Sequence, residues 1–367
     1  MATRARFHEL AVAAIDRLTE DSVAVTFAVP PELADAYAHT AGQHVAVVAP
    51  QLSDGVRRSY SICTPAGSGV LRIGVKLLPG GGFSGYAADT LQVGDRLEVL
   101  TPVGRFGPRV LNAGAARSYG LVAAGSGITP VLSIAATVLR AEPSSRVKLL
   151  YGNRTARSVM FAEELADLKD RHGPRLHLMH LLSREPGGVE LLSGRLDDDR
   201  FARVLDNLVP VGDIDAWYLC GPHAMVTGLR AVLIGRGVEP TIVHTELFHA
   251  ESDVSAAPSR RVATDSSLSA EQGGVGAEVS VLIDGRRSAV RVPAEGVSVL
   301  EAALAVRADA PFSCRGGVCG TCRARVLEGS VRMDHSYALE PDEIAAGFVL
   351  TCQAHPTSDR VVLDYDV

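Results

Sequence analysis

The sequence predicts a multidomain chain with three folds in series: a small antiparallel β-barrel domain, an α/β domain on a parallel sheet, and a small α+β domain. Three observations predict it. Short runs of alternating polarity, separated by turn residues, fill residues 1–112. Apolar strands then alternate with helical stretches over 113–249. After a Ser-, Ala- and Gly-rich stretch, 250–277, a hairpin, a helix and a cysteine-rich loop follow in 278–367. A length of 367 residues agrees, because single cores stop growing near about 250–300 residues.

Each element has its own justification. In "LRIGVKL" (71–77), Leu71, Ile73, Val75 and Leu77 take one face while Arg72 and Lys76 take the other, as in a half-buried strand. "SVAVTF" (22–27) reads likewise, and such short strands with turns between them suit a small barrel. From Ser118 the period changes: "SYGLVAAG" is a buried strand, and "TPVLSIAATVLRA" is a helix expected to be capped by Thr129 with Pro130 in its first turn. "RVKLLYGN", "RLHLMHLLS" and "DAWYLCGP" are further apolar strands, with helical stretches such as "FAEELADLKDRH" between them. Strands alternating with helices imply a parallel sheet covered on both faces. The stretch 250–277 has no period that could bury a face and reads as a flexible linker. Beyond it, "EVSVLIDGRRSAVRVP" is a hairpin turning at Asp284-Gly285, and "VSVLEAALAVRA" is a short helix.

Composition narrows the function classes. A net charge of −6 argues against a nucleic-acid partner, which would favour a basic surface. The start "MATRARFHEL" lacks the apolar core of a secretory signal. The longest apolar stretch, 119–139, is broken by Gly-Ser-Gly and by Pro130, so strand-then-helix is expected rather than a membrane span. These features suit a soluble, cytoplasmic protein, in which cysteines serve as metal ligands or catalytic thiols rather than disulfides.

"CRGGVCGTC" (314–322) packs three of the chain's six cysteines into nine positions. Cys314, Cys319 and Cys322 are followed by Cys352, giving C-x4-C-x2-C-x29-C, the plant-type spacing for a 2Fe–2S cluster. Three thiolates from one loop must converge, so the loop must fold around the metal. Gly316, Gly317 and Gly320 permit that path and let backbone N–H groups approach the sulfurs. The competing readings are a four-cysteine zinc site and four unrelated buried thiols. Structural zinc usually draws on two C-x2-C pairs, whereas Cys352 stands alone in "VLTCQAH".

With these motifs in hand, residues 278–367 resemble a plant-type ferredoxin, and residues 1–249 resemble a flavoprotein of the ferredoxin–NADP reductase type. Their order is similar to that of the reductase components of multicomponent oxygenases. Within that family, "VKLLPGGGFSGYA", "AAGSGITPVLSIAATVL" and "SYALEPDEIAAGFVLTCQA" are most like the reductases that serve di-iron phenylacetyl-CoA epoxidases.

The resemblance implies roles for particular residues. In "RRSYSICTP" (57–65), Tyr60 can stack on a flavin ring, Ser61 can hydrogen-bond its edge near the reactive nitrogen, and Arg58 can pair with phosphate. Gly82, Phe83 and Ser84 can hold the pyrophosphate with N–H groups and a hydroxyl. FAD is favoured over FMN by the resemblance alone. In "AAGSGITP" (123–130), Gly125 and Gly127 let the backbone approach a nucleotide pyrophosphate at the helix start, with Thr129 and Pro130 completing a G-x-G-x-x-P pattern. No carboxylate opens either neighbouring strand end, where Asn153, Arg154, Ser183 and Arg184 could take a 2′-phosphate; this favours NADPH, with NADH possible. Cys220, Gly221 and Pro222 form the family's C-G-P turn beside the nicotinamide, although Cys220 also reads as a small buried hydrophobe. Glu246 and Phe248 match a carboxylate and an aromatic at the flavin face, and Cys63 reads as core.

The implied activity is transfer of electrons from NAD(P)H through FAD and a 2Fe–2S cluster to an oxygenase component, first of all the phenylacetyl-CoA epoxidase, with no nucleic acid or membrane involved. The alternatives are service to another oxygenase, such as a steroid or aromatic-ring hydroxylase, and a redox-sensing or carrier module. Arg315 and Arg323 with Glu328, Asp334, Glu340, Asp342 and Glu343 are expected on an exposed, net acidic rim that would meet a basic docking surface.

Overall fold

The structure is a computed structural model that describes residues 5–52, 57–185, 188–248, 276–293 and 296–367. These fall into two compact units, divided after Phe248. Apart from Gly276 and Ala277, the expected linker lies outside the described residues, and Ala277 already belongs to a strand.

The first unit opens with six strands, β1 (Phe7–Thr19), β2 (Ser22–Ala28), β3 (His44–Val48), β4 (Arg58–Ser61), β5 (Leu71–Lys76) and β6 (Arg96–Leu100), with helix α1 (Gly82–Asp89) before the last. All pair antiparallel in the order β4-β3-β6-β1-β2-β5. Ile62, just past β4, bridges Ile73 of β5, and the Cys63 N–H bonds the Arg72 carbonyl at 3.0 Å, so the two edges meet and the barrel closes. The expected alternation of β5 holds on its inner face. Gly74 on the outer face is buried too, because that face packs on the α/β domain rather than on water.

The same unit continues with β7 (Ser118–Ala124), α2 (Ile128–Ala141), β8 (Arg146–Asn153), α3 (Ala162–His172), β9 (Leu176–Leu182), α4 (Asp198–Asn207), β10 (Ala216–Pro222), α5 (His223–Gly235) and β11 (Val243–Phe248). Its five strands are parallel in the order β11-β10-β7-β8-β9. Chain order reverses between β7 and β10, and ligands of such sheets bind in the crevice at that reversal. The apolar stretch 119–139 is thus β7, a tight turn and α2, and no described helix is long and apolar enough to cross a membrane. One expectation needs correction. Helix α2 begins at Ile128 with Gly127 as its N-cap and no side-chain cap, because the 3-10 turn Gly125–Gly127 leads straight into it. Thr129 lies inside the first turn, where its hydroxyl donates to the Ser126 carbonyl at 2.9 Å.

The second unit holds β12 (Ala277–Ile283), β13 (Arg286–Val292), α6 (Val299–Val306), β14 (Arg323–Glu328), β15 (Val331–Met333), α7 (Pro341–Ala345), β16 (Phe348–Leu350), β17 (Ala354–Pro356) and β18 (Arg360–Asp364). A mixed five-stranded sheet runs β13-β12-β18-β14-β16, and β15 pairs with β17. Asp284 and Gly285 both have positive φ, 55° and 66°, which the two-residue hairpin turn requires. Ser298 and Glu301 form a capping box that starts α6.

Candidate functional site

The Gly125–Gly127 turn meets the end of β10 at the sheet reversal; the expected Cys220-Gly221-Pro222 turn is instead the last part of that strand, because it stays paired with β11 through Pro222. A Cβ on Gly127 would stand 2.4 Å from the Cys220 carbonyl oxygen and 2.9 Å from the Gly221 nitrogen, so only glycine lets the turn before α2 lie against the Cys-Gly-Pro end of β10. The β10–β11 register sets Cys220 beside Glu246 and Pro222 beside Phe248. From the barrel, the Ser61 hydroxyl donates to Glu246 Oε2 at 3.1 Å, and the Cys220 thiol approaches the same oxygen at 3.9 Å. Ser61, Cys220 and Glu246 therefore converge on one carboxylate, brought together from two domains. Burial, reinforced by the Glu246 charge, pushes the Cys220 thiol well above its ordinary range. Cys220 is a protonated donor here and not a nucleophile. Cys63 is buried and pushed up to about 12, and its thiol donates to the Arg72 carbonyl.

Around the end of β4, the Tyr60 ring lies 5.2 Å from that of Phe83, tilted by 41°. Phe83 belongs to the barrel core, so what it can offer a ligand is its N–H. Helix α1 starts at Gly82 behind Gly81 with no side-chain cap, which suits first-turn N–H groups that receive a phosphate. The Ser84 hydroxyl, by contrast, is buried and engaged, accepting from the Leu78 N–H at 3.2 Å and reaching the Gly81 carbonyl at 3.3 Å. Arg58 is half-buried, with Nη1 3.4 Å from the Arg57 carbonyl.

At the far side of the crevice the β8–β9 ladder continues past both strands. The Ser183 N–H bonds the Asn153 carbonyl at 2.9 Å, and the Arg184 N–H bonds the Arg154 carbonyl at 2.8 Å. The two arginines stand side by side, exposed, as a 2′-phosphate would require. The Asn153 side chain is half-buried and lies against the Tyr151 hydroxyl. A carboxylate also lies here. Glu185 accepts from the Ala156 N–H at 3.0 Å and so caps the turn after β8.

In the second unit the four cysteines arrange as two pairs. Cys314 hydrogen-bonds Cys319, and Cys322 hydrogen-bonds Cys352; these contacts, with burial, hold Cys314 and Cys322 well above the ordinary thiol range. Such protons must leave when metal binds. Among the described residues no three His, Cys, Asp or Glu side chains close on a single ion. Two pairs of thiols suit a two-iron cluster better than one tetrahedral zinc. The loop's path needs positive φ at Arg315, Gly317 and Gly320, at 55°, 75° and 68°. Cys352 is held to it by its neighbours: the Thr351 N–H and hydroxyl both reach the Cys322 carbonyl, at 3.1 and 2.9 Å, and the Gln353 amide bonds the Arg315 carbonyl at 2.7 Å. The expected rim needs revision. Arg323 and Glu343 are largely buried and paired at 3.3 Å, with Arg323 stacked on the Phe348 ring, because α7 folds back over β14 and β16.

Three family descriptions match the chain in series: an oxidoreductase FAD-binding domain over 9–107, an oxidoreductase NAD-binding domain over 121–231, and a 2Fe-2S iron-sulfur cluster binding domain over 281–357. Over 362 residues the chain is 41% identical to one of the subunits of 1,2-phenylacetyl-CoA epoxidase from Escherichia coli (strain K12), covering 98% of each chain. The chain belongs to the FAD- and NAD-binding reductases with a C-terminal 2Fe-2S ferredoxin domain. The reductase is also 33% identical to the ferredoxin reductase component of 3-ketosteroid-9-alpha-monooxygenase from Rhodococcus rhodochrous, over 97% of this chain and 96% of that one. Among solved structures, phthalate dioxygenase reductase, described as modular for electron transfer from pyridine nucleotides to 2Fe-2S, matches over 98% of both chains at 25% identity with a TM-score of 0.58. A cytochrome P450 reductase of Amycolatopsis matches 67% of this chain and 71% of that one at 28% identity, with a TM-score of 0.57. The reductase thus carries domains for FAD, a nicotinamide nucleotide and a 2Fe-2S cluster, and its homologues serve multicomponent oxygenases.

Sequence reasoning missed several residues of this reductase's sites. Thr351 and Gln353 flank Cys352 and could have been suspected from that position alone.

Proposed function

We propose that the chain is the reductase component of a phenylacetyl-CoA epoxidase, drawing electrons from NADPH. The observation that carries this reading is the 41% identity to the Escherichia coli epoxidase component along 98% of both chains, against 33–35% for the 3-ketosteroid monooxygenase reductases. When bound, FAD would supply two-electron hydride chemistry and the cluster one-electron transfer, which together would turn hydride equivalents into single electrons. The chain's own residues supply position and protons. Ser61 and Tyr60 hold the flavin ring edge and face, and Arg58 with the first turn of α1 receives its pyrophosphate. Gly125 and Gly127 bring backbone N–H groups to the nucleotide pyrophosphate, while Arg154 and Arg184, with Asn153 and Ser183, take the 2′-phosphate. Glu246, already accepting from Ser61 at 3.1 Å, can hold a proton at the hydroxyl that faces the flavin. Cys220, neutral and buried, fills the wall behind the nicotinamide, with Phe248 at the rim. Cys314 with Cys319, and Cys322 with Cys352, would hold the cluster.

The test is reconstitution. With NADPH and the oxygenase component of a phenylacetyl-CoA epoxidase, the purified protein should support formation of the epoxide from phenylacetyl-CoA. Steady reduction of ferricyanide without epoxide, but with hydroxylated product when a 3-ketosteroid monooxygenase component is supplied instead, would reassign the partner. No NADPH-dependent reduction of any acceptor would favour a sensing module.

A further inference from the structure

We propose that Tyr151 is a positioning residue for the nucleotide pyrophosphate, acting through the Gly125 carbonyl; this rests on the reading that the Gly125–Gly127 turn receives that group. The turn is intrinsically soft. Two of its three residues are glycine, Gly125 sits at φ +54°, and a Cβ there would meet nothing within 4 Å. Packing therefore does not fix the Gly125 peptide, and hydrogen bonds must.

Two side chains supply them. The Tyr151 hydroxyl donates to the Gly125 oxygen at 3.0 Å, alongside the Ile128 N–H that the same carbonyl accepts from the helix. The Thr129 hydroxyl donates to the next carbonyl, Ser126, at 2.9 Å. Because each peptide unit is planar and trans, its N–H points opposite to its carbonyl. Fixing the Gly125 carbonyl toward Tyr151 fixes the Ser126 N–H the other way, off the N-terminal end of α2. Fixing the Ser126 carbonyl does the same for the Gly127 N–H. These are the donors an anion at a helix start would use.

Tyr151 suits the task. Its side chain is fully buried in the core beneath the turn, its ring centroid is 5.8 Å from that of His180, and β8 holds its backbone rigidly between β7 and β9. Burial pushes the phenol up and outweighs the hydrogen bonds its oxygen takes from the Asn153 side chain and the Met160 backbone, so it stays a neutral donor. A core position needs only the ring, and phenylalanine would fill it equally well. The hydroxyl is what reaches the turn.

The experiment uses the full holoprotein carrying Tyr151→Phe, with ferricyanide as acceptor. The expected result is a KM for NADPH raised about five- to tenfold, equivalent to losing one net hydrogen bond, with kcat within about twofold. With 1-benzyl-1,4-dihydronicotinamide, a hydride donor that has no phosphate, both constants should be unchanged. The inhibition constant of ADP-ribose against NADPH should rise by the same factor as KM. An unchanged KM for NADPH, or an equal rise for both donors, overturns the role of Tyr151. ADP-ribose that fails to compete with NADPH in the unaltered protein overturns the pyrophosphate reading, and Tyr151's role with it. Competition there with no change in the variant overturns Tyr151's role alone.

Discussion

Replacing Gly127 by alanine probes the contact on which the catalytic crevice depends. The added Cβ would lie 2.4 Å from the Cys220 carbonyl oxygen, 2.7 Å from its carbon and 2.9 Å from the Gly221 nitrogen. All three are backbone atoms, so no side chain can swing aside. Ordinary contact begins at 3.4 Å, and 3.4 minus 2.4 leaves about 1 Å by which the turn and the end of β10 must part. Forcing one extra carbon into such packing costs about 1–3 kcal/mol of stability. The functional cost is larger in proportion, because a misplacement of about 1 Å between reacting groups can lower a rate about a hundredfold. The displaced end of β10 carries Cys220, whose strand neighbour is Glu246. The assay is anaerobic stopped-flow reduction of the bound flavin by NADPH, with reduction by dithionite as the control for cofactor content. The expected outcome is retained FAD and cluster, with flavin reduction by NADPH slowed about a hundredfold. Gly235→Ala, in open space at the end of α5, should leave the rate unchanged. Wild-type reduction kinetics in Gly127→Ala would refute the reasoning that the turn and the end of β10 form one rigid contact.

Coenzyme choice is tested at the paired strand ends. Arg184→Ala should raise KM for NADPH about ten- to a hundredfold more than for NADH, the worth of a charge-assisted hydrogen bond to phosphate; equal changes would remove Arg184 from that role. Glu142 gives a pH-dependent prediction. Its burial raises the carboxyl pKa, but donors from Ser145, the Asn112 N–H and Tyr119, with Arg117, outweigh this and hold it below its ordinary value of 4.5. A folded pKa below the unfolded one means stability that is present above about pH 4.5 and lost as pH falls through the folded value. Glu142→Gln should therefore be less stable at neutral pH by about 1–3 kcal/mol and lose less on acidification than the unaltered protein; parallel melting curves against pH would contradict this.

The fold was legible because its signals are local. The period of "LRIGVKL", the turn at Asp284-Gly285 and the spacing of four cysteines each depend on residues near one another in sequence. What could not be read was set by contacts across long separations. That Gly127 must be glycine follows from its contact with the Cys220 backbone, some 90 residues later. Arg323 and Glu343 look like rim charges in the sequence, yet α7 brings them together under cover and Phe348 stacks on the guanidinium. Ser84 fits a phosphate loop by type, while its hydroxyl is drawn into the turn at Leu78 and Gly81. Ser61 and Glu246 were each expected at the flavin from resemblance, but their hydrogen bond was not foreseen, since no local pattern joins positions 185 residues apart.

The central claim is that electrons from the nicotinamide nucleotide reach the cluster through the flavin. The most direct measurement is electron paramagnetic resonance of the anaerobic holoprotein, frozen at intervals after one equivalent of NADPH is added. The account predicts the signal of a reduced 2Fe–2S cluster, appearing after the flavin absorbance begins to bleach. In Cys319→Ser the flavin should bleach equally fast with no such signal. A flavin that is fully reduced beside a cluster that stays oxidised would contradict the account.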